Sequence, residues 1–160
     1  MNIEASKCRL RALEIEDLEV MYGWENNMDL WRVSGTVAPF SRHILSRLLD
    51  EQQFDIYATR QMRLVVERKS DGITVGAVDM FEFDPQNLRA GVGIIIAPPY
   101  RKQGFALDAL QSLERYVRDV LRMHQLWCSV GADNKASLAL FQKAGYTECG
   151  RRKEWLLTSN

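Results

Sequence analysis

An apolar run in the middle of the chain, stopped by two prolines, constrains the fold more than any other feature. Ile94, Ile95 and Ile96 follow one another without a polar residue between them, and Pro98 and Pro99 end the segment. A strand with one solvated face alternates apolar and polar residues, so an unbroken apolar strand is covered on both faces. The run therefore predicts a central strand over residues 89–97.

The rest of the pattern predicts a mixed α/β sheet with helices on both of its faces. Further predicted strands cover residues 8–13, 62–68, 74–83, 125–130 and 146–157, the last interrupted at Gly150. Predicted helices cover residues 16–27, 104–121 and 134–144, with one more beginning at Ser41. The early strands are expected to be antiparallel, and the strand–helix–strand step parallel and right-handed. No repeat or linker is visible, so we expect a single domain over residues 1–160.

Composition argues against several classes of protein. The 21 basic side chains equal the 21 acidic ones, so no bulk positive field favours nucleic acid. No apolar stretch approaches the roughly 20 residues that cross a bilayer, and the first residues are polar. The three cysteines have no paired spacing, and no His/Cys cluster suggests a metal site. We therefore expect a cytoplasmic protein without a nucleic-acid, membrane or metal partner.

The segment after the central strand has the composition of an anion-binding turn. Arg101 and Lys102 precede Gly104 and Ala106, where the longest predicted helix begins. The first N–H groups of a helix have no partner within it, and the helix dipole adds partial positive charge at that end. Glycine lets a bulky anion reach the main chain, so the turn suits phosphate. An ordinary strand–turn–helix connection with solvated basic side chains explains the pattern equally well.

Two motifs here resemble those of the GNAT N-acetyltransferase superfamily. Residues 100–106, YRKQGFA, resemble its acetyl-CoA signature, R/Q-x-x-G-x-G/A, and residues 134–146, NKASLALFQKAGY, resemble its second motif. The opening RLRAL and EDL segments resemble the ribosomal-protein or spermidine acetyltransferase branch. The resemblance runs from about Cys8 to Leu157. It implies a GNAT-like mixed sheet, splayed beside the cofactor strand. The family's final strand is missing here, so either the sequence is truncated or a second copy covers the open edge in a homodimer.

The resemblance implies acetyl-CoA as co-substrate. Main-chain N–H groups of the turn would hold the diphosphate, and the main chain of the central strand would pair with the pantetheine arm. An N–H near Ile95 or Ile96 would face the thioester carbonyl, and Ile95 is assigned the catalytic role. The implied cofactor-binding residues are Ile94, Ile96, Ala97, Arg101, Lys102, Gln103, Gly104, Phe105, Ala106, Asn134 and Phe141.

The reaction needs two proton transfers. We assign removal of a proton from the amine to Glu82 and protonation of the departing thiolate to Ser137. An alkylamine has a pKa of about 10 and must lose a proton to attack, which favours a nearby carboxylate. Glu82 is preferred to Asp79 because it resembles a carboxylate near the amine in polyamine acetyltransferases. Phe141 stands where many family members place a proton-donating tyrosine. Ser137 and Tyr146 are the alternatives, and Ser137 lies one helical turn before Phe141.

The acceptor is the least constrained part of the prediction. Trp24, Glu25, Asp29 and Trp31 could line a slot for a cationic amine, although tryptophans in amphipathic helices are commonly core residues. Gly91 occupies the place of a glutamate in polyamine acetyltransferases, which favours a protein N-terminus or another small amine. The function expected is an acetyl-CoA-dependent N-acetyltransferase. The alternatives are a CoA-binding module without turnover and an unrelated phosphate-binding α/β domain.

Overall fold

A six-stranded sheet forms the centre of the computed structural model, which describes residues 3–52 and 55–157. Its strands lie side by side in chain order: β1 (Ile3–Glu4), β2 (Cys8–Ala12), β3 (Met62–Arg68), β4 (Thr74–Asp84), β5 (Arg89–Ile96) and β6 (Gln125–Trp127). Neighbouring strands are antiparallel except β5 and β6, which are parallel. The mixed sheet with helices around it confirms the predicted fold class.

Six α-helices accompany the sheet within the described ranges. They are α1 (Leu18–Glu25), α2 (Met28–Ser34), α3 (Arg42–Gln52), α4 (Ile56–Thr59), α5 (Phe105–Asp119) and α6 (Lys135–Lys143). Short 3-10 turns at Ile15–Asp17 and Pro98–Tyr100 precede α1 and α5. None of the helices in this part of the chain has the length and apolarity to cross a membrane.

The alternation of side chains along the strands divides the core between two faces. Val66 and Val78 belong to the larger apolar cluster, to which α5 contributes Leu110 and α6 contributes Phe141. Val65, next to Val66 along β3, packs instead with residues of α1 and α3. Because successive side chains of a strand point to opposite faces, helices cover both sides of the sheet.

The parallel pair at the edge of the sheet opens into a gap. Pairing between β5 and β6 covers only Arg89–Gln125, Ala90–Leu126 and Gly91–Trp127. Strand β5 continues to Ile96, whereas β6 ends at Trp127. Residues 93–95 are half-buried, although β4 pairs with them on the other side. The last part of β5 therefore presents an unpaired edge to a cleft, as the predicted splay requires.

Several predicted elements differ from the structure. Residues 146–157 contain no strand, so that prediction is wrong. Strand β6 stops after Trp127 and offers no ladder to them, which leaves Trp155 and Leu157 exposed. The predicted helix over residues 16–27 ends at Glu25, and the side chain of Asn27 caps a separate helix, α2.

Candidate active site

The mouth of α5 carries a row of free main-chain N–H groups. Gly104 occupies the N-cap with a φ of +85°, and Lys102 has a φ of +60°. Within residues 3–52 and 55–157, no oxygen accepts a hydrogen bond from the N–H groups of residues 103–107. Two left-handed residues in one short turn direct these donors outward, where the helix dipole adds partial positive charge. The turn therefore has the free donors that a phosphate site needs, and its binding of a diphosphate stays a prediction.

A lysine distant in sequence adds charge to this mouth. The ammonium group of Lys7 donates to the carbonyl oxygen of Gln103 at 3.0 Å. A methyl group placed on Gly104 would lie only 2.9 Å from Lys7 Nζ. Arg68 and Lys69 line an adjoining pocket of about 440 Å³ together with Lys7. No sequence motif indicated Lys7, because its contact with the turn spans 96 residues.

Asp108 fixes the segment that carries Lys7. Its carboxylate accepts the main-chain N–H groups of Ser6 (3.0 Å), Lys7 (2.7 Å) and Cys8 (3.1 Å). Burial alone would raise the pKa of Asp108, but these hydrogen bonds outweigh burial and lower it. Burial and the hydrogen bond to Asp108 raise the pKa of the Cys8 thiol to about 12. Cys8 is therefore an un-ionised core residue, and Asp108 a fixed anion.

The register of β5 corrects the assignment of Ile95. Ala97 donates its N–H to the carbonyl oxygen of Val75 on β4, and Ile95 pairs with Ala77 two residues earlier. In an antiparallel pair such alternate residues direct both main-chain groups to the partner strand. Consistently, a carbon built on Gly76 would lie 2.2 Å from the Ile95 carbonyl oxygen. The N–H of Ile95 therefore faces β4 and not the gap.

Ile94 and Ile96 present their main-chain groups to the gap instead. They alternate with the residues that bond β4, so their N–H and C=O groups point to the opposite side. The carbonyl oxygen of Ile96 accepts a hydrogen bond from Nε of Arg101 at 2.9 Å. Arg101 thus reaches from the turn to the edge of the gap. Lys102, by contrast, is exposed and makes no hydrogen bond within the described residues.

Glu25, Arg63 and Asp79 form an ion cluster on the face covered by α1. Arg63 donates from Nε and Nη2 to both carboxylate oxygens of Asp79, at 2.6 and 2.8 Å, and from Nη1 to Glu25 at 2.6 Å. The carboxylate hydrogen bonds raise the pKa of Arg63 further above its ordinary value, although burial opposes them. Glu25, predicted to bind substrate, is thus engaged by the protein itself. Arg63 was missed because its two partners lie 38 and 16 residues away.

Glu82 lies at an irregularity in β4. The pairing of β4 with β5 shifts register between Phe81 and Asp84, and Glu82 adopts a φ of +47°. Its side chain is exposed and has no ion-pair partner among the described residues. Unlike Asp79, Glu82 therefore has a carboxylate that no basic side chain of the described residues engages.

The other predicted acceptor residues are spread over α1 and α2. Trp24 and Trp31 are half-buried, and the indole N–H of Trp31 donates to the carbonyl oxygen of Glu25 at 2.8 Å. Asp29 is exposed in the first turn of α2. An ion pair between Arg32 and Asp133 joins α2 to the loop before α6. The indole of Trp31 thus lies against Glu25, and the assignment of the four residues to the acceptor stays a prediction.

An aromatic corner closes the cleft where β5 and β6 separate. Phe81 and Trp127 meet edge to face, with ring centroids 5.4 Å apart. The Phe81 ring covers Gly91, because a Cβ at that position would lie 2.3 Å from the ring. A Cβ on Gly93 would meet Phe81 at 3.8 Å and no other atom of the described residues within 4 Å. The space above Gly93 is therefore open, with the two aromatic rings at one end.

Helix α6 and its N-cap contain the predicted arm and thiol residues. The side chain of Asn134 caps this helix by accepting the N–H of Ser137 at 3.2 Å. Phe141 is buried and contacts Tyr146 edge to face, at a centroid distance of 5.0 Å. The Tyr146 hydroxyl is buried without a partner in the described structure, and burial raises its pKa. Ser137 is half-buried, so both hydroxyls stay candidates as proton donors.

Comparison with known proteins places this site in a family. The profile described as Acetyltransferase (GNAT) domain matches residues 7–147. The chain belongs to the GNAT acetyltransferase family. It is 31% identical over 144 residues to spermidine N(1)-acetyltransferase of Escherichia coli (strain K12). The matched region covers 89% of this chain and 74% of that protein.

Solved GNAT structures share the architecture. Spermidine N-acetyltransferase from Vibrio cholerae, crystallised with CoA and spermine, superposes with a TM-score of 0.81 at 26% identity, covering 90% of this chain and 83% of that one. A GNAT acetyltransferase from Bacillus anthracis gives a TM-score of 0.76 at 18% identity, covering 94% and 86%, and supports the fold alone. Membership confirms the prediction of an acyltransferase that uses acetyl-CoA.

Proposed function

We propose that the protein transfers the acetyl group of acetyl-CoA to the nitrogen of a primary amine. The observation that carries this proposal is the continuity of two features. Free N–H groups at the mouth of α5 lead directly to the unpaired edge of β5. The first suits the diphosphate of CoA, and the second suits an extended arm that contains amide groups. A simple phosphate-binding turn would not need the gap.

The chain's own groups divide the binding task. N–H groups of residues 103–107 bind the diphosphate, with Lys7 at its rim. Arg101, already bonded to Ile96, links the turn to the gap. Ile94 and Ile96 offer main-chain donors and acceptors to the arm. Because Ile95 faces β4, we assign the N–H that polarises the thioester carbonyl to one of these two neighbours. One such donor is commonly worth about 3 kcal/mol in the transition state.

The transfer itself forms a C–N bond and breaks a C–S bond. The neutral amine attacks the thioester carbonyl, and the thiolate of CoA leaves. Glu82 is the proposed acceptor of the amine proton, directly or through water, because it is exposed and has no ion-pair partner in the described part of the chain, while Arg63 holds Asp79. The departing thiolate takes a proton from Ser137, Tyr146 or solvent. A thiol has a pKa of about 8.5, so the thiolate can leave without a strong acid.

The proposal is tested by following thiol release from acetyl-CoA in the presence of primary amines, with CoA binding measured separately by calorimetry. We expect amine-dependent thiol release and a mass increase of the acceptor by one acetyl group. Gly104→Glu should abolish CoA binding, because its side chain and charge would occupy the phosphate seat. Gly150→Glu, in an exposed segment away from the turn, is the matched control. CoA binding without turnover of any amine would instead indicate a binding module.

A further inference from the structure

We propose that the acceptor is a monoamine with an apolar, preferably aromatic, body, and that Phe81 selects against polyamines. This inference rests on the proposed function and names the substrate class of the same site. It is drawn from three features of the face covered by α1: the ring above Gly91, the open surface above Gly93, and the charge of the neighbouring ion cluster.

The first feature is the position of the Phe81 ring. Phe81 pairs with Gly91 across β4 and β5, so the two residues share one face of the sheet. Three ring carbons lie 2.3, 2.7 and 2.8 Å from a Cβ built on Gly91, closer than any real contact. A side chain on Gly91 would therefore require this ring to move. The ring thus forms an apolar wall over Gly91.

The second feature is the open surface beside that wall. Gly93 follows Gly91 by two residues, so it lies on the same face of β5. It pairs with Asp79, and Ile95 continues the face toward the turn. Gly93 and Ile95 are half-buried, and Phe81 stands 3.8 Å from the place of a Cβ on Gly93. The surface beside the gap is therefore glycine and isoleucine, ended by aromatic rings, and suits a flat apolar group.

The third feature is the charge available to an ammonium group. Asp79 and Glu25 carry two negative charges, and Arg63 between them carries one positive charge. The cluster is therefore net −1, and both oxygens of Asp79 are already hydrogen-bonded. Glu82 is needed to accept the proton of the reacting nitrogen. Spermidine would bring two further ammonium groups to an ion cluster of net charge −1 and an apolar corner, which disfavours it relative to a monoamine.

The distinguishing experiment compares kcat/KM for three amines at saturating acetyl-CoA: 2-phenylethylamine, butylamine and spermidine. We expect 2-phenylethylamine to exceed spermidine by about ten-fold or more, with butylamine between them, since apolar contacts discriminate by factors of this size. A higher kcat/KM for spermidine overturns the inference and leaves the proposed function intact. Absence of thiol release with every amine overturns both.

Two variants test whether Phe81 is the cause. Phe81→Ala should lower kcat/KM for 2-phenylethylamine by about ten-fold, leave that for spermidine unchanged or higher, and leave CoA affinity unchanged. Phe81→Ala combined with Gly91→Glu should raise kcat/KM for spermidine, because the lost ring makes room for a carboxylate. Val37→Ala, at a side chain 91% exposed, is the control for general effects of truncation. Equal losses on both amines in Phe81→Ala would refute the assignment.

Discussion

Replacing Arg63 by methionine should destabilise the protein more than the loss of any ordinary surface ion pair. Arg63 and Glu25 are only 18% and 17% exposed, and Asp79 is 33% exposed. Removal of one partner from a buried pair costs about 3–5 kcal/mol, because the remaining charge stays desolvated. Since Asp79 retains contact with water, we expect the lower end, about 3 kcal/mol. With an m-value of about 2 kcal/mol per molar urea, the unfolding midpoint falls by about 1.5 M.

Urea unfolding followed by tryptophan fluorescence measures this loss. Arg47→Met is the matched control, because Arg47 and Glu51 form an exposed pair 3.9 Å apart on α3. Such a pair contributes about 0.3 kcal/mol. Restoring neutrality with Arg63→Met, Glu25→Gln and Asp79→Asn together should recover most of the lost stability. If Arg63→Met costs no more than Arg47→Met, the cluster does not stabilise this face and the reasoning fails.

Two further predictions concern charge. Hydrogen bonds from Arg11 and from the N–H of Glu14 outweigh burial and lower the pKa of Asp17 below its ordinary 3.8. A depressed folded-state pKa contributes stability above pH 3.8 that is lost as pH falls through the folded value. Asp17→Asn should thus lower the urea midpoint at pH 7 and flatten its fall toward pH 3, and an unchanged slope would contradict this. Lys7→Ala should weaken CoA binding about five-fold at low salt, as expected for an ion pair that contributes about 1 kcal/mol. Calorimetry measures this affinity, and an equal loss in the control variant Lys143→Ala would show that the effect is nonspecific.

Elements with strong local signals were predicted closely. Strand β4 was expected at residues 74–83 and spans Thr74–Asp84, and the helix expected at residues 104–121 spans Phe105–Asp119. In both, the apolar period and the flanking turn residues are local in sequence. The expected strand at residues 146–157 failed because a strand also needs a partner, and β6 is only three residues long. Whether the chain forms a homodimer stays a prediction.

In the candidate site, too, features with a local sequence signal were predictable, and features that depend on distant residues were not. The turn with free N–H groups was predictable, since its glycine, basic residues and helix start are contiguous. The role of Ile95 was not, because a shift of one residue along a strand reverses the direction of its main-chain groups. No sequence motif identifies Lys7 or Arg63, because the residues that they contact lie in elements distant in the sequence. The alternation of faces along β4 predicts on which face of the sheet Asp79 lies. It does not predict the ion pair between Asp79 and Arg63.

The hydrogen bonds of Asp108 have a consequence for how the protein acquires its function. They join segments about 100 residues apart, so the N–H groups of Ser6, Lys7 and Cys8 lack this acceptor until α5 has formed, although β3 already pairs with the start of β2. During synthesis the first two strands leave the ribosome long before that carboxylate does. Contacts of such large sequence separation slow folding. Affinity for CoA should therefore arise late and in a single step, when the cooperative fold closes, and not grow as the chain lengthens.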